Sequence, residues 1–292
     1  DTQSGNTAVG KNAGKANTLG TNQVAIGFDA LAANTYGAHN VVIGHEAAMV
    51  ANPMYNTVAI GRRALYSCTT GNNNTAVGSE AMKLNTTGTT NVAVGNAAMQ
   101  QSTTGDDNVA VGVSAMQFNT EGEYNVAVGR YALQSSTTTN NNVAVGYEAA
   151  KNTTTGTANV AVGKDAMHDN STGTNNTAVG YRALSTNQVK SNHTAIGQGA
   201  LFSNSNGIEN TAVGGNALYD NTTGQYNTAV GRNCMSNTTT GGQNTSVGRG
   251  SMFPNETGSN NSALGYGALG GTTGASNSVA IGHSALSHAS LS

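Results

Sequence analysis

Histidine, cysteine and carboxylate side chains are the residues of this chain that could bind a metal ion or carry out nucleophilic catalysis. The 292 residues include two cysteines and six histidines, the latter at positions 39, 45, 168, 193, 283 and 288. The histidines are mostly far apart, and no carboxylate or cysteine recurs near them at the spacing of a metal-binding motif. The sequence shows no cluster of a nucleophile, a general base and a group that would orient that base. The sequence therefore predicts no metal, no cofactor and no enzymatic activity.

Charged residues and tyrosines are a second set of side chains that could contact a ligand, and their positions follow a repeat. A glycine recurs every seventeen residues, at positions 10, 27, 44 and so on to 282, seventeen times without an insertion or deletion. Connecting loops tolerate insertions at little cost, so this strict spacing indicates that every residue of the repeat has a structural place. We number positions in the repeat from this glycine, position 0, and predict that residues 1–292 form a single repeat domain.

Thirteen of the 26 charged residues lie one or two positions after the repeat glycine, and several tyrosines share those positions. A row with this composition must face solvent. The simplest interpretation is a solubilising edge. A sharper one is a lateral strip that contacts host cell-surface glycans, with tyrosine faces stacking on sugars. The candidate lateral contacts are Arg130, Tyr131, Tyr147, Tyr181, Arg182 and Tyr266.

The residues around the repeat glycine predict the elements that position this strip. Asn, then Thr or Val, Ala, and Val or Ile precede the glycine, so β-branched residues alternate as on a two-faced strand. Ala at +3 and Leu or Met at +4 predict a second short strand with Leu or Met pointing inward. A second glycine, at +10 in twelve units, often ends a T-T-G or N-T-T-G phrase and predicts a turn with a left-handed glycine. We predict an all-β fold, a parallel β-solenoid (β-roll) of seventeen 17-residue coils.

The two faces of the predicted strand suggest how chains assemble. We expect Thr/Val at −3 and Val/Ile at −1 to point inward, and the Ala and Gly face to meet other chains, because small residues let another backbone approach closely. Three chains around an axis is the preferred arrangement. The alternative is that Ala fills a flattened solenoid interior. The candidate trimer-facing residues are Ala76, Ala93, Ala110, Ala127, Ala144 and Ala161.

Single residues that depart from the repeat have structural interpretations. Cys68 and Cys234 lie nearly ten coils apart and cannot pair within one chain. Cys234 takes an Ala position and is expected to be buried, whereas Cys68 is expected to be exposed in the turn. The Asn at −4 is expected to form an amide ladder along the coils, of which His193 is a variant.

The bulk composition excludes several classes of partner. The formal net charge is −2, so no nucleic acid partner is implied. No apolar run approaches the roughly 20 residues that a membrane-spanning helix needs, so we predict no membrane insertion. The start of the chain, DTQSGNTAVG, does not read as a signal peptide.

The repeated phrase resembles known families. NSVAIG (Asn277 to Gly282) and NTVAIG (Asn56 to Gly61) resemble the head repeat of trimeric autotransporter adhesins. The longer phrase NTAVGGNALYDNTTG from Asn210 is similar to repeats of bacteriophage tail fibres. The resemblance covers all seventeen units and implies a left-handed parallel β-roll assembled as a homotrimer. Stalk heptads, a membrane-anchor barrel and a C-terminal chaperone domain, which those families carry, are not found here, so the parent protein stays open.

These observations lead to a functional expectation. We expect a non-enzymatic, homotrimeric shaft segment of a phage tail fibre, in the virion, involved in host attachment and touching a surface glycan or receptor. The alternative is the head of a bacterial trimeric autotransporter adhesin at the cell surface. A third, less favoured class is an extracellular filament or ice-binding solenoid. Ice binding would need threonines in strict register, and Glu121, Val189, Asn206 and Glu256 interrupt the T-T pairs.

Overall fold

One three-residue β-strand forms in every repeat, at positions −3 to −1. The computed structural model describes residues 5–287, and no helix occurs among them. The strands form here because Val, Ile and Thr, which favour extended backbone, flank a small residue in each unit. The predicted all-β class is therefore confirmed.

Inter-residue contacts divide the chain into two units, Asp1–Ala144 and Val145–Ser292. In the first unit each strand pairs in parallel with the next, and residues seventeen apart lie opposite each other, as Thr75 does with Val92. The strands of this unit are β1 (Thr7–Val9), β2 (Val24–Ile26), β3 (Val41–Ile43), β4 (Val58–Ile60), β5 (Thr75–Val77), β6 (Val92–Val94), β7 (Val109–Val111) and β8 (Val126–Val128). Strand β9 (Val143–Val145) contains the unit boundary.

The second unit repeats the same architecture. Thr177 of one strand lies opposite Thr194 of the next, again with parallel pairing and a seventeen-residue register. Its strands are β10 (Val160–Val162), β11 (Thr177–Val179), β12 (Thr194–Ile196), β13 (Thr211–Val213), β14 (Thr228–Val230), β15 (Thr245–Val247), β16 (Ser262–Leu264) and β17 (Val279–Ile281). Both units are parallel β-solenoids, as predicted. The prediction of one domain over residues 1–292 stays a prediction.

The predicted second strand, at +3 and +4, is wrong. Positions +1 to +6 form turns, and the residues at +2 and +4 have positive φ, as Glu80 (60°) and Met82 (49°) do. The backbone still bonds to both neighbouring coils. The Glu80 N–H donates to the carbonyl of Arg62 (2.8 Å) in the preceding coil, and the Met82 N–H to that of Ala98 (2.9 Å) in the next. The sign of φ alternates, which curls the chain: every second amide bonds to a neighbouring coil, and the amides between them bond within the turn, as the Ala81 N–H does to the carbonyl of Gly78 (3.3 Å).

The two strand faces point opposite to the prediction. The six candidate trimer-facing alanines, Ala76, Ala93, Ala110, Ala127, Ala144 and Ala161, are each 0% exposed in the single chain. Side chains at −3 and −1 point the other way, because successive strand residues alternate, and they are half-buried or exposed. A fully buried methyl group offers no surface to another chain, so the assignment is corrected and the alternative, Ala as interior filler, holds.

The interior of each coil is narrow and is filled by small residues. Alanines at −2 and +3 pack with Leu or Met at +4, and Leu65, Met82 and Leu133 are fully buried as predicted. These side chains and the buried asparagines fill the interior of the coil. A β-branched residue therefore occupies −2 only once, at Val42. Volume, and not hydrophobicity, decides which strand face turns inward.

Two amide ladders complete the interior. At −4, the Asn91 N–H donates to Asn74 Oδ1 (2.9 Å), and Asn91 Nδ2 donates to the carbonyl of Gly105 (2.7 Å). This ladder was predicted. A second ladder at +7 was not: Asn221 Nδ2 donates to Asn204 Oδ1 at 2.9 Å, and Asn204 Nδ2 to Asn187 Oδ1 at 3.2 Å. Buried amide groups of neighbouring coils thereby bond to each other.

The two recurrent glycines are required for different reasons. Gly78, at position 0, has φ +142° and lies against the carbonyl of Gly95 in the next coil. Gly88, at +10, lies outside the left-handed range, so the predicted left-handed turn glycine is wrong. A Cβ on Gly88 would lie 2.6 Å from the carbonyl oxygen of Gly105. Close stacking of coils therefore excludes a side chain there.

Candidate ligand-binding strip

Positions +1, +2 and +5 of successive coils lie on one side of each unit, which we call the lateral strip. Contacts between these positions establish this: Arg182 at +2 reaches the ring of Phe202 at +5 of the next coil (5.9 Å). Glycine at position 0 turns the chain away from the strand, and the left-handed residue at +2 directs its side chain outward. The tyrosines predicted at +1 are exposed: Tyr147, Tyr181 and Tyr266 by 42%, 42% and 50%.

In the first unit, part of the lateral strip is a network of ion pairs, over residues 45–83. Arg62 Nη2 lies 2.6 Å from Glu80 Oε1, and Arg63 Nε lies 2.6 Å from Glu46 Oε2. Burial raises the pKa of Glu80, but the opposing effects of Lys83, Arg62 and Gln100 leave that pKa below its ordinary value. These charges are already paired between neighbouring coils, so this part of the strip fits the solubilising interpretation.

The predicted contacts Arg130 and Tyr131 lie side by side in the first unit. Arg130 Nη2 donates to the Tyr131 hydroxyl at 2.7 Å, and the guanidinium lies 4.5 Å from the centre of the same ring. The pair combines a flat apolar face with a cation.

In the second unit the strip alternates cations and aromatic rings. Lys164 Nζ lies 5.7 Å from the ring of Tyr147 and 5.9 Å from that of Tyr181. Arg182 lies 5.4 Å from Tyr181, and Phe202, which it also approaches, stacks on the ring of Tyr219 at 5.0 Å. The structure thus brings together the predicted Tyr147, Tyr181 and Arg182.

Three members of this cluster, Lys164, Phe202 and Tyr219, were missed from the sequence. Lys164 occupies the same +1 position as the predicted tyrosines, and Phe202 and Tyr219 both occupy +5 in consecutive coils. A comparison of position +5 across units could have found the two aromatic residues.

Two acidic residues and a histidine lie beside this cation–aromatic cluster. His168 lies between two carboxylates, with Nδ1 2.7 Å from Asp169 Oδ1 and Nε2 3.3 Å from Glu148 Oε2. Lys151 Nζ also pairs with Glu148 at 3.1 Å. Over residues 5–287, no group of three or more His, Cys, Asp or Glu side chains is arranged to hold a metal ion.

A groove opens on the strip further along the second unit. Arg249 lies 5.6 Å from the ring of Tyr266, the last predicted contact, and Tyr266 stacks on His283 at 5.0 Å. Phe253 at +5 forms another wall. The groove has a volume of about 420 Å³, within the range of small-ligand sites.

The remaining candidate residues lie in the interior. Cys68 takes the buried +7 position, so the prediction that it is exposed is wrong, and burial raises the pKa of its thiol to about 11. Cys234 is buried as predicted, and neither cysteine forms a disulfide. His193 joins the ladder as expected: its N–H donates to Asn176 Oδ1 at 3.0 Å. His288 lies outside the described residues.

In the part of the chain that the structure describes, no helix is long and apolar enough to cross a membrane. No protein-family profile matches the chain, and no curated protein is significantly similar to it.

Proposed function

We propose that this chain is a structural, non-enzymatic segment of a homotrimeric fibre, the shaft of a bacteriophage tail fibre that acts in host attachment. The observation that carries the proposal is an apolar stripe on the outer strand face of each unit. At −1, Val111 and Val128 are each 36% exposed in the first unit, and Ile196 and Leu264 are 40% and 51% exposed in the second. Contiguous exposed apolar surface marks an interaction site.

The periodicity of the stripe identifies its occupant. An apolar side chain recurs once per coil, so a partner must present complementary groups at the same spacing along its length. A second copy of this chain meets that condition, because its own coils stack with the same seventeen-residue register. Copies packed in parallel would cover every repeat of the stripe with the same contact.

The resemblance of the repeat to those of trimeric adhesins and phage tail fibres supports three copies and a left-handed coil. In such a trimer the −3 and −1 side chains face the other chains, and the lateral strip stays available to a host cell-surface glycan or receptor. The near-neutral net charge of −2 argues against a nucleic acid partner. The fibre would be extracellular, on the virion.

The head of a bacterial trimeric autotransporter adhesin is the second candidate, because phrases such as NSVAIG resemble that family. The other domains of the parent protein would separate the two. Ice binding is less favoured, since Thr86 Oγ1 donates to the carbonyl of Thr103 (3.0 Å). Threonine hydroxyls at +8 bond in the same way in other coils and are thereby engaged within the solenoid.

A matched pair of lysine substitutions tests the proposal. Val111→Lys places a charge in the stripe, whereas Val113→Lys places it on the lateral strip of the same coil, at a residue of similar exposure, 36% against 42%. A lysine enclosed by other chains is strongly unfavourable. Sedimentation should show dissociation of V111K to 29.3 kDa chains and intact assemblies of V113K. Equal assembly of both variants would reject the stripe as the interface.

A further inference from the structure

The groove beside Tyr266 exists because two coils lack a side chain at +2. That position holds a larger side chain in most other coils, such as Arg182, but here two consecutive coils hold Gly250 and Gly267. A Cβ placed on Gly250 would have no heavy atom within 4 Å, so the space above it is open. The floor of the groove is therefore backbone, and its walls are the side chains of Phe253, Pro254 and Tyr266.

The walls differ in what they offer a ligand. Phe253 is 45% exposed and has no ring stacking or cation–π contact within residues 5–287, so its face is open. The face of an aromatic ring carries a negative quadrupole, which attracts the weakly positive C–H groups on the flat face of a sugar ring. Asn233 and Ser284 line the same groove and can bond to hydroxyl groups.

The charge in the groove is a single unpaired cation. Arg249 is the one charged residue among the described lining residues, and within the described chain it forms no ion pair. Its contact with the Tyr266 ring, at 5.6 Å, leaves the guanidinium N–H groups available. A guanidinium binds a carboxylate through two parallel hydrogen bonds.

The neighbouring groove on the same strip provides a contrast. Tyr181, Arg182, Phe202 and Tyr219 line it, but Phe202 already stacks on Tyr219. Arg182 Nε also lies 3.8 Å from Asp165 Oδ2, so a carboxylate ligand would meet a negative charge there. An acidic ligand therefore favours the groove that contains Arg249.

We propose that the groove between Phe253 and Tyr266 binds a sugar ring that carries a carboxylate, as in an acidic polysaccharide. The ring would lie on Phe253 above the glycine floor, with its carboxylate on Arg249. This inference rests on the proposed function in one respect, since surface polysaccharides are the ligands that an attachment fibre meets.

Titration calorimetry of the full chain with digalacturonic acid, and with neutral digalactose as the matched sugar, tests the assignment. Arg249→Gln removes the charge in the groove. Arg232→Gln is the control, because Arg232 occupies the same +1 position one coil earlier and does not line the groove. Gly250→Asn fills the groove without backbone strain, because Asn216 and Asn233 hold the same +2 position with φ of 54° and 55°, against 61° at Gly250.

The acidic disaccharide should bind at least about tenfold more tightly than the neutral one. R249Q should lose that preference, G250N should lose binding of both sugars, and R232Q should behave as the wild type. Absence of binding, equal affinity for both sugars, or an equal loss in R232Q and R249Q would overturn the proposal. Sedimentation of the same samples separates the two hypotheses: a trimer without binding rejects the groove alone, and a monomer that binds rejects the fibre alone.

Discussion

Acidification should destabilise the second unit through His193. This histidine occupies the −4 position of the ladder, where most units have asparagine, and it is 1% exposed. Burial lowers its pKa to about 4, against the opposing effect of hydrogen bonds with the backbones of Gly207 and Asn210. In the unfolded chain the pKa is near 6.5. Between these values the unfolded chain binds a proton that the folded chain excludes, so stability is complete above pH 6.5 and falls towards pH 4.

The size of the effect follows from the difference between the two pKa values. A gap from 6.5 to about 4 corresponds to a loss of ~3 kcal/mol of unfolding free energy at pH 4. Urea unfolding at pH 7, 5.5 and 4, followed by circular dichroism, measures it. His193→Asn is the matched variant, because it restores the usual ladder residue and does not titrate. Other groups contribute equally to both proteins and cancel in the difference.

The difference in unfolding free energy between wild type and H193N should therefore change by ~3 kcal/mol from pH 7 to pH 4, in favour of H193N. A difference that stays constant with pH would mean that the folded chain protonates His193 as readily as the unfolded chain. The buried position of His193 in the ladder would then be refuted.

Three further predictions concern the coil itself. Gly88→Ala should lower the unfolding free energy by roughly 1–3 kcal/mol through its contact with the next coil, whereas Gly274→Ala, whose Cβ would meet no atom closer than 3.4 Å, should be nearly neutral in urea unfolding. Ala127→Leu should destabilise the fold by a similar amount, and Val113→Leu on the lateral strip should not; equal melting temperatures would contradict an alanine-filled interior. Cys68 should resist a thiol reagent at pH 8 until the chain unfolds, because its pKa is about 11, and mass spectrometry of the native protein would reveal any rapid labelling.

The solenoid and its register could be predicted because the spacing of the glycines is strict. A glycine every seventeen residues requires that Thr75 stack on Val92 and that Gly78 approach Gly95, and both contacts occur. The inward Leu and Met at +4 also followed from their pattern, because one of these two residues stands at that position in fourteen of the seventeen units.

The orientation of the strand could not be predicted from alternation. A pattern such as Thr75-Ala76-Val77 shows that two faces differ but does not show which one is enclosed. Hydrophobicity favours Val inside, and the narrow coil instead takes Ala76, because the interior already holds Ala81 and Met82. The outcome depends on the volume of a coil, which no single unit of sequence reveals.

The second strand was wrongly predicted because its backbone has no local sequence signal. Residues such as Glu80 and Met82 rarely adopt positive φ, and their types suggest extended or helical backbone. Hydrogen bonds to the coils on both sides impose the conformation instead. The same cause explains Cys68: the turn at +7 folds inward to extend a polar ladder, so the cysteine is buried.

The lateral strip was predicted in position but not in detail. Exposure of Tyr181 and Tyr266 follows from the solvent-facing composition at +1. The groove at Arg249 depends instead on the absence of side chains at Gly250 and Gly267. Such a cavity appears only when neighbouring coils are stacked and their side chains compared.

The molar mass of the wild-type particle tests the central claim most directly. If copies of this chain cover the apolar stripe at −1, sedimentation equilibrium should give about 88 kDa, three chains of 29.3 kDa each. A stable particle of 29.3 kDa would contradict the account, because the Val and Ile face would then remain exposed to water in the folded protein.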